Sequence, residues 1–510
     1  MALPQKSFTN QLMHLAEPKL TFAYGQKLSD PRDGLLLFGP PTKRHFTGQI
    51  NVGIIGPPLP REELRNYLRR IHAPVFGGET EVARPFFPGI ESTFGVFVNF
   101  ENLPEINIEY DEIKKFLKYT DGHQRVYNLC NLYVDALLKY TRHEEMPVTV
   151  WFVVIPDEVY QYGRPQSKIP TTDKNVKAGL TLYERISGQM LLFSHLDELR
   201  SAYDFEVNFH NQLKAKLLAD HIVTQVIRES TIAYERLWTS QRKIDLERKF
   251  DTAKAWNIAT TLYYKAGGLP WKLADVRLGV CYLGLVYKKV HTDTTNRNAC
   301  CAAQMFLDSG DGVVFKGNLG PWYNPETREF HIRQDDAVAL LNQSLESFRA
   351  RSDTGSFPTE VFIHARTAFD DDEWSGFAMA AAGKSKIVGV RIRDNRVFKL
   401  YREFTYAVPR GTVYRTSQKH AYLWSRGFIP RLQTQLGLET PNPLEVEISR
   451  GDTDIQQVCQ DVLALTKLNY NSCLYGDGLP VTLRFADRIG EVLTAGKDIT
   501  NEVLTFKYYV

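Results

Sequence analysis

The chain has 510 residues, 43% of them hydrophobic and 24% charged, which is an ordinary globular composition and a length that suits two or three domains. Its formal net charge of +3 does not by itself identify a nucleic-acid-binding protein, although a local basic groove would be enough for binding. No apolar run of about 18 residues and no apolar signal core near the start are present, so we expect neither a membrane span nor secretion, and cysteines without a CxxC pair favour free thiols in a reducing cytoplasm.

The first half of the chain alternates strands with helices. Turn-rich pieces around residues 30–34 (DPRDG) and 38–41 (FGPP) come first. The elements predicted after them are a helical region at 112–142, a buried strand at 148–156, a helix at 207–219, a strand at 222–230 and a helix at 244–266. Residues 157–205 are polar and contain Pro165 and Pro170, so we predict a loop or an insertion there.

The second half is richer in strands and has its helices late. Its predicted elements are strands at 276–290 (one long strand or a hairpin), 313–318, 359–365 and 385–393, helices at 454–469 and 485–496, and a final strand at 504–510. A boundary near residue 270 divides the two halves. The alternation of strands with helices predicts an α/β fold, and the apolar final strand predicts a buried chain end.

Four polar residues of the first half are spaced so that they could bind an anion together. His210 and Lys214 lie four residues apart on one helix and therefore share a face. Gln225 is on the next strand and Lys265 closes the later helix. Lysine, glutamine and histidine could together donate to the oxygens of a terminal phosphate. A His-x3-Lys pair alone is more often a solvated helix edge, so the spacing leaves both interpretations open.

The order and spacing of these four residues resemble the 5′-phosphate pocket in the MID domain of Argonaute proteins. Three further segments are similar to the same family. They are KAGGLPWKL (265–273), like the segment that joins MID to PIWI, LTKLNYNS (465–472), like a PIWI helix start that contacts the guide, and YGQKLSDPRDGLLLFGP (24–40), like the linker before MID. The resemblance implies an α/β protein with a Rossmann-like MID domain and an RNase H-like PIWI domain.

The resemblance is strongest to short prokaryotic Argonautes, which lack the N and PAZ domains. It implies a linker-like segment at 1–100 leading into MID, a MID domain at 101–270 and a PIWI domain at 271–510. The segments VRLGVCYLGLVYKK, NACCAAQMFLD and VTLRFADRIGE resemble the subunit that is paired with a TIR–APAZ protein in the SPARTA defence system.

The acids that slicing Argonautes use to hold two metal ions are missing from the matching positions. The opening PIWI strand, residues 276–292, contains no Asp or Glu, and Cys281 stands about where the first acid is expected. Arg366 follows the strand after which the third acid is expected, and Asp487 looks like a retained fourth position. A single retained acid cannot hold two metal ions, so we expect no cleavage by this chain.

Other contacts follow from the same resemblance. It implies that the carboxylate of Val510 helps to hold a Mg²⁺ ion at the guide 5′ end. Lys467, Asn469 and Lys272 are the residues expected to contact guide or target. Three more basic residues either line a nucleic-acid channel or form a solvated strand end, and these are Arg277, Lys288 and Lys289.

The function implied is that of a guide-RNA-binding immune subunit. It would bind a 5′-phosphorylated small RNA, pair it with complementary single-stranded DNA, and so activate a TIR–APAZ NADase against invading plasmids or phage. The two proteins would form a heterodimer, and heterodimers would associate on target binding. Three alternatives remain: an active guided nuclease that uses Asp275, Asp371 and Asp487, the same module paired with a sirtuin-like APAZ effector, and a scaffold that binds no nucleic acid.

Overall fold

The computed structural model describes residues 10–41, 49–77, 85–100, 103–143, 146–167, 201–275, 277–289, 298–305, 312–319, 322–324, 326, 329–352, 354–403, 405–435, 439–496 and 504–510. At residue 289 and in the strands 298–305, 312–319 and 322–324 it describes the main chain only. No helix in these ranges is both long enough and apolar enough to cross a membrane.

Strands and helices alternate along most of the chain. The strands are β1 Gln11–His14, β2 Leu20–Thr21, β3 Lys27–Leu28, β4 Gln49–Ile50, β5 Val52–Gly56, β6 Phe97–Val98, β7 Glu105–Asn107, β8 Val150–Ile155, β9 Thr224–Arg228, β10 Lys272–Leu273, β11 Val280–Lys289, β12 Asn298–Met305, β13 Gly312–Leu319, β14 Trp322–Asn324, β15 Glu329–His331, β16 Glu360–Ala365, β17 Lys386–Asp394, β18 Thr412–Arg415, β19 His420–Trp424, β20 Phe428–Ile429, β21 Thr434–Gln435 and β22 Leu444–Arg450. The helices are α1 Pro31–Phe38, α2 Pro58–Arg70, α3 Ile90–Phe94, α4 Tyr110–Leu117, α5 Gly122–His143, α6 Asp157–Tyr162, α7 Phe209–Leu217, α8 Glu229–Ile232, α9 Tyr234–Leu237, α10 Gln241–Arg248, α11 Asp251–Lys265, α12 Gln334–Arg351, α13 Asp371–Ala381, α14 Ile455–Leu465 and α15 Val481–Leu493.

The first unit is built on a parallel sheet with the strand order β7-β5-β8-β9. Every residue of β8 (VWFVVI) is buried, as expected for a strand covered on both faces. Trp151 and Val153 face a core shared with α5 and α7. Phe152 and Val154 face the opposite core, which includes Trp256 of α11. Helices therefore cover both faces of the sheet, as in the Rossmann-like unit predicted for this part of the chain.

The second unit is built on a nine-stranded sheet with the order β1-β18-β19-β22-β17-β16-β11-β12-β13. β16 pairs in parallel with β11 and β17, and the other neighbours are antiparallel. A core with α12 and α13 covers one face, and a core with α14 and α15 covers the other. The predicted α/β fold is confirmed by these two layered units.

The first hundred residues, predicted as a linker-like segment leading into the first unit, contribute strands to both units. β1 pairs with β18 at the edge of the large sheet, and β2 pairs with β10. β5 lies inside the parallel sheet, bonded to β7 and β8. We therefore place the start of the first unit near residue 49, because a boundary at residue 100 separates β5 from the strands to which it is bonded.

Several predicted elements differ from those observed. Residues 30–34 were predicted as a turn, but Asp30 caps α1 and Pro31 occupies its first turn, both of which favour helix initiation. The helical regions 112–142 and 244–266 each divide into two helices. Residues 276–290 contain one strand, β11. The final strand is wrong, because Phe506–Tyr508 form a 3₁₀ turn. Residues 168–200 of the predicted loop lie outside the described residues.

Candidate functional site

A cavity of about 710 Å³ lies where the two units meet. One side of its wall comes from α6 and the loop after it, from the start of α7, and from β9. The other side comes from α15 and from Tyr509 and Val510. His210, Gln225 and Val510 all line this cavity, so the structure brings together three predicted site residues that are up to 300 positions apart in the sequence.

The start of α7 points into this cavity. Asn208 caps the helix, and its side chain accepts a hydrogen bond from the main-chain nitrogen of Asn211 at 3.3 Å. The His210 side chain is exposed to the cavity, and its Nδ1 lies 3.2 Å from Asn211 Oδ1. A helix start presents main-chain N–H groups and partial positive charge, which favours binding of an anion.

Lys214 and Lys265 lie beneath the cavity wall and not on it. Their exposed fractions are 2% and 1%. Both ammonium groups donate to the main-chain oxygen of Thr224, at 3.2 Å from Lys214 and 2.7 Å from Lys265. Lys214 also donates to Val510 O at 2.8 Å, and Lys265 donates to Gln225 Oε1 at 2.7 Å. The two cations therefore converge as predicted, but they are screened from the cavity by the residues that they hold.

Burial and mutual repulsion weaken the charge of this group of side chains. Burial, with a smaller contribution from Arg488, lowers the pKa of Lys214 to about 7. Burial and the neighbouring Lys214 lower the pKa of Lys265 well below its usual value. Desolvation by the surrounding protein, together with the charge of Lys214, lowers the pKa of His210. An anion entering the cavity would reverse these shifts, because it stabilises the protonated forms.

Sequence reasoning missed four residues of the same cavity. Arg488 of α15 lines it from the second unit, and Arg164 and Arg228 line it from the first. The Arg164 guanidinium lies 3.4 Å and the Arg228 guanidinium 4.6 Å from the centre of the Tyr160 ring. The local sequence around these residues does not predict a role in the site, because only the folding of the chain brings them to the same cavity as His210.

The oxygens at the polar end of the cavity do not fit a magnesium ion well. Mg²⁺ prefers six oxygen ligands in octahedral geometry. Val510 O accepts a hydrogen bond from Lys214, and Gln225 Oε1 accepts one from Lys265, so both oxygens already face ammonium groups. Arg488 lines the cavity and adds a third basic side chain near this end. A cation bound to these oxygens would lie beside three basic side chains that repel it, so we assign no step to a metal.

Two of the three residues predicted to contact guide or target have structural partners within the chain. Lys467 is 2% exposed, and its ammonium donates to Glu17 Oε1 at 2.6 Å and to Tyr475 O at 2.7 Å. The Lys467 ammonium is therefore not accessible to nucleic acid in this structure. The Asn469 amide donates to Asp477 Oδ2 at 3.1 Å. Lys272 is half-buried on β10 and remains a predicted contact.

The predicted basic channel residues are also paired with acids. Arg277 donates to Glu360 Oε2 at 2.9 Å and forms a short contact with Asp461, so it belongs to a half-buried ion network. Lys288 lies 3.2 Å from Asp487. The side chain of Lys289 lies outside the described residues. Pairing with carboxylates reduces the charge that Arg277 and Lys288 offer to a phosphate backbone.

The three positions compared with a nuclease centre lie on neighbouring elements. Cys281 is 1% exposed on β11, beside β16. Arg366 directly follows β16 and forms a short ion pair with Asp487 of α15. Lys288 lies on the other side of the same carboxylate. Asp487 thus faces two basic side chains, whereas a two-metal centre needs several carboxylates facing each other.

The acids of the rival nuclease interpretation are each paired with a base. Asp275 is 75% exposed and lies 2.9 Å from Lys27, and Asp371 is 93% exposed and lies 2.6 Å from Arg450. Within the described ranges, the group of side chains with metal-ligand spacing lies instead at β15 and the start of α13, and it is formed by the buried His331 and Glu373 and the half-buried Asp370. The Tyr287 hydroxyl donates to Glu373 in that set at 2.5 Å.

Comparisons with known proteins show which proteins have a similar fold. No protein-family model matches the chain. It is 24% identical over 298 residues to the protein argonaute of Aquifex aeolicus, a match that covers 58% of this chain and 36% of that protein. The structure of Clostridium butyricum Argonaute bound to a guide DNA and a 19-mer target DNA has a TM-score of 0.64 at 14% identity, over 96% of this chain and 54% of that chain. A crystal structure of A. aeolicus Argonaute has a TM-score of 0.53 at 14% identity, over 97% and 55%.

The chain therefore has an Argonaute-like fold with units that correspond to MID and PIWI. It spans about half the length of the solved structures that it matches and about a third of the curated relative. The cavity lies between the MID-like and the PIWI-like unit.

Proposed function

We propose that this chain, with its Argonaute-like fold, binds the 5′-phosphorylated end of a small guide RNA in the cavity between its two units. The observation that carries the proposal is the convergence of His210, Gln225 and the start of α7 above two buried lysines. A terminal phosphate carries up to two negative charges and several acceptor oxygens. A site with helix N–H groups, an amide and converging cations matches that chemistry better than it matches an uncharged ligand.

The phosphate would be held at the polar end of the cavity. The side chains of His210 and Gln225 would donate hydrogen bonds there, and the partial positive charge at the start of α7 would add electrostatic attraction. Lys214 and Lys265 supply charge from beneath, and Arg488 supplies charge from the PIWI-like unit. Because the two lysines have lowered pKa values in the free protein, phosphate binding takes up protons.

The rest of the guide end would leave along the wall that carries Tyr160. This ring is 39% exposed and lies beside two guanidinium groups. An exposed aromatic ring next to cations is suited to stacking a nucleobase without reading its identity. Sequence would then be read by pairing of the guide with a complementary single-stranded DNA, as in other guided systems.

We further propose that this chain does not cleave the paired strand. Cys281 is buried and cannot replace a carboxylate ligand for a hard metal ion. Asp487 is held between Arg366 and Lys288. The output would then come from a partner, which by the resemblance of the PIWI-like segments is a TIR–APAZ NADase in a cytoplasmic heterodimer that associates further on target binding. A sirtuin-like APAZ partner is the alternative, and the neighbouring gene distinguishes the two.

The test is recovery of nucleic acid with the protein purified from cells. We expect short RNA with 5′-phosphate ends from the wild type, and little from a His210→Ala/Lys214→Ala variant. Lys467→Met is the matched control, because it removes a buried lysine outside the cavity. Equal recovery from all three proteins, or no short RNA from the wild type, would contradict the proposed site.

A further inference from the structure

One buried arginine connects two chain segments beside the cavity. Arg125 of α5 is 1% exposed. Its Nη1 donates to Tyr119 O at 2.8 Å, before α5, and its Nε donates to Tyr162 O at 3.1 Å, at the end of α6. Its Nη2 donates to Ser167 O at 3.2 Å and to Ser167 Oγ at 3.0 Å. A single planar group thus fixes both ends of the loop 162–167.

This arrangement carries an electrostatic cost. These contacts are to main-chain carbonyls and one hydroxyl, which only partly replace water around a buried cation. Burial accordingly lowers the pKa of Arg125, and only Asp121 opposes that shift. An apolar side chain could fill the same space without this cost. We therefore explain the presence of a guanidinium here by the chain segments that it holds in place.

The segment that Arg125 holds is part of the cavity wall. Gly163 and Arg164, in the loop between Tyr162 and Ser167, line the cavity. Gly163 O accepts a hydrogen bond from Phe209 N at 2.8 Å, so the same loop is tied to the start of α7 beside His210. Ser167 Oγ donates back to Tyr162 O at 2.8 Å and closes the loop. Displacement of Arg125 would therefore move the Arg164 side of the wall.

We propose that Arg125 is a positioning residue for the anion site: it holds the loop 162–167 so that Arg164 faces the bound 5′-phosphate from the Tyr160 side of the cavity. This inference rests on the proposed function, because it assigns Arg125 to the same cavity. Arg125 does not line the cavity and acts through the loop. If its role were purely structural, Arg125 would stabilise the MID-like unit without a specific effect on phosphate recognition.

The test is a double-mutant cycle on the ratio of dissociation constants for 5′-hydroxyl and 5′-phosphate RNA of one sequence. Arg125→Lys keeps the charge but cannot reach all of these acceptors. We expect it to lower the ratio about tenfold, the size of one displaced charge-assisted contact. In an Arg164→Gln background the same substitution should have little further effect, because the group that it positions is gone. Ser167→Ala is a milder variant that should act in the same direction if Arg125→Lys does not fold.

The matched control is Arg410→Lys. Arg410 is 3% exposed and holds Glu17 and Thr466 by hydrogen bonds outside the cavity, so its loss should lower thermal stability without changing the ratio. Equal effects of Arg125→Lys with and without Arg164, or an unchanged ratio in a folded variant, would overturn the role of Arg125 alone. A wild-type protein that does not distinguish the two RNAs would overturn the proposed function and this inference with it.

Discussion

The lowered pKa of Lys214 predicts that recognition of the 5′-phosphate weakens as pH rises. In the free protein this lysine has a pKa of about 7, chiefly because it is buried. Lys214 would lie beneath the bound phosphate dianion, which stabilises the protonated lysine. The complex therefore keeps this proton to a higher pH than the free protein does. For each proton taken up on binding, the affinity for the 5′-phosphate falls by up to about tenfold per pH unit once the pH exceeds the pKa of the lysine in the free protein.

The expected magnitude is therefore a fall of up to ~16-fold in phosphate preference between pH 7 and pH 8.5 for one proton, because half of the free Lys214 is already deprotonated at pH 7. Lys265, whose pKa is also lowered, would make the fall steeper. Below about pH 6 the preference falls again, since the phosphate loses its second charge. Fluorescence anisotropy with 5′-phosphate and 5′-hydroxyl RNA across this range measures the ratio, and a Lys214→Met variant should give a flatter profile. A pH-independent wild-type ratio would refute the role assigned to the buried lysines.

Three further predictions concern the same cavity and the three positions compared above with a nuclease centre. Arg488→Gln should weaken binding of 5′-phosphate RNA by roughly 3- to 10-fold. It should also shift the midpoint of the pH dependence of phosphate preference to higher pH, because Arg488 lowers the pKa of Lys214. An unchanged midpoint would show that Arg488 does not act on the lysine. Addition of EDTA should leave the phosphate preference unchanged, because the oxygens of the site face ammonium groups; a marked loss that magnesium restores would show a metal in the site. A labelled target strand paired with a guide should remain uncut in the presence of magnesium or manganese. Cys281→Asp alone should not restore cleavage, because Arg366 and Lys288 neutralise the charge of Asp487. Any cut product at guide-defined positions would contradict the proposal.

Local spacing predicted which side chains would converge, but not how deeply they would be buried. The four-residue interval between His210 and Lys214 placed both on one helix, and the structure brings them together with Gln225 and Lys265. Periodicity does not tell whether a lysine at the edge of an apolar stripe reaches solvent. Lys214 is buried because Val510 and Thr224 lie over it, a contact between residues almost 300 positions apart.

The burial of Lys467 is hidden from the sequence for the same reason. A lysine at a helix end usually reaches water, and here an acid from the start of the chain, Glu17, covers it. Arg488 and Arg125 had no local signal, because their partners come from distant segments. The strands were predicted better than the turns around them, since an apolar run such as β8 carries its own signal. The helix at Asp30 was missed because its cap and its proline also favour turns.

The most direct test of the central claim is the affinity of the purified protein for one short RNA with and without its 5′-phosphate at pH 7. The proposed site predicts that the phosphate tightens binding at least tenfold, since each charge-assisted contact contributes about 1.5–3 kcal/mol. It also predicts that the advantage disappears in His210→Ala/Lys214→Ala and survives in Lys467→Met. Equal affinity of the wild type for both RNAs would contradict the assignment of this cavity to the guide 5′ end.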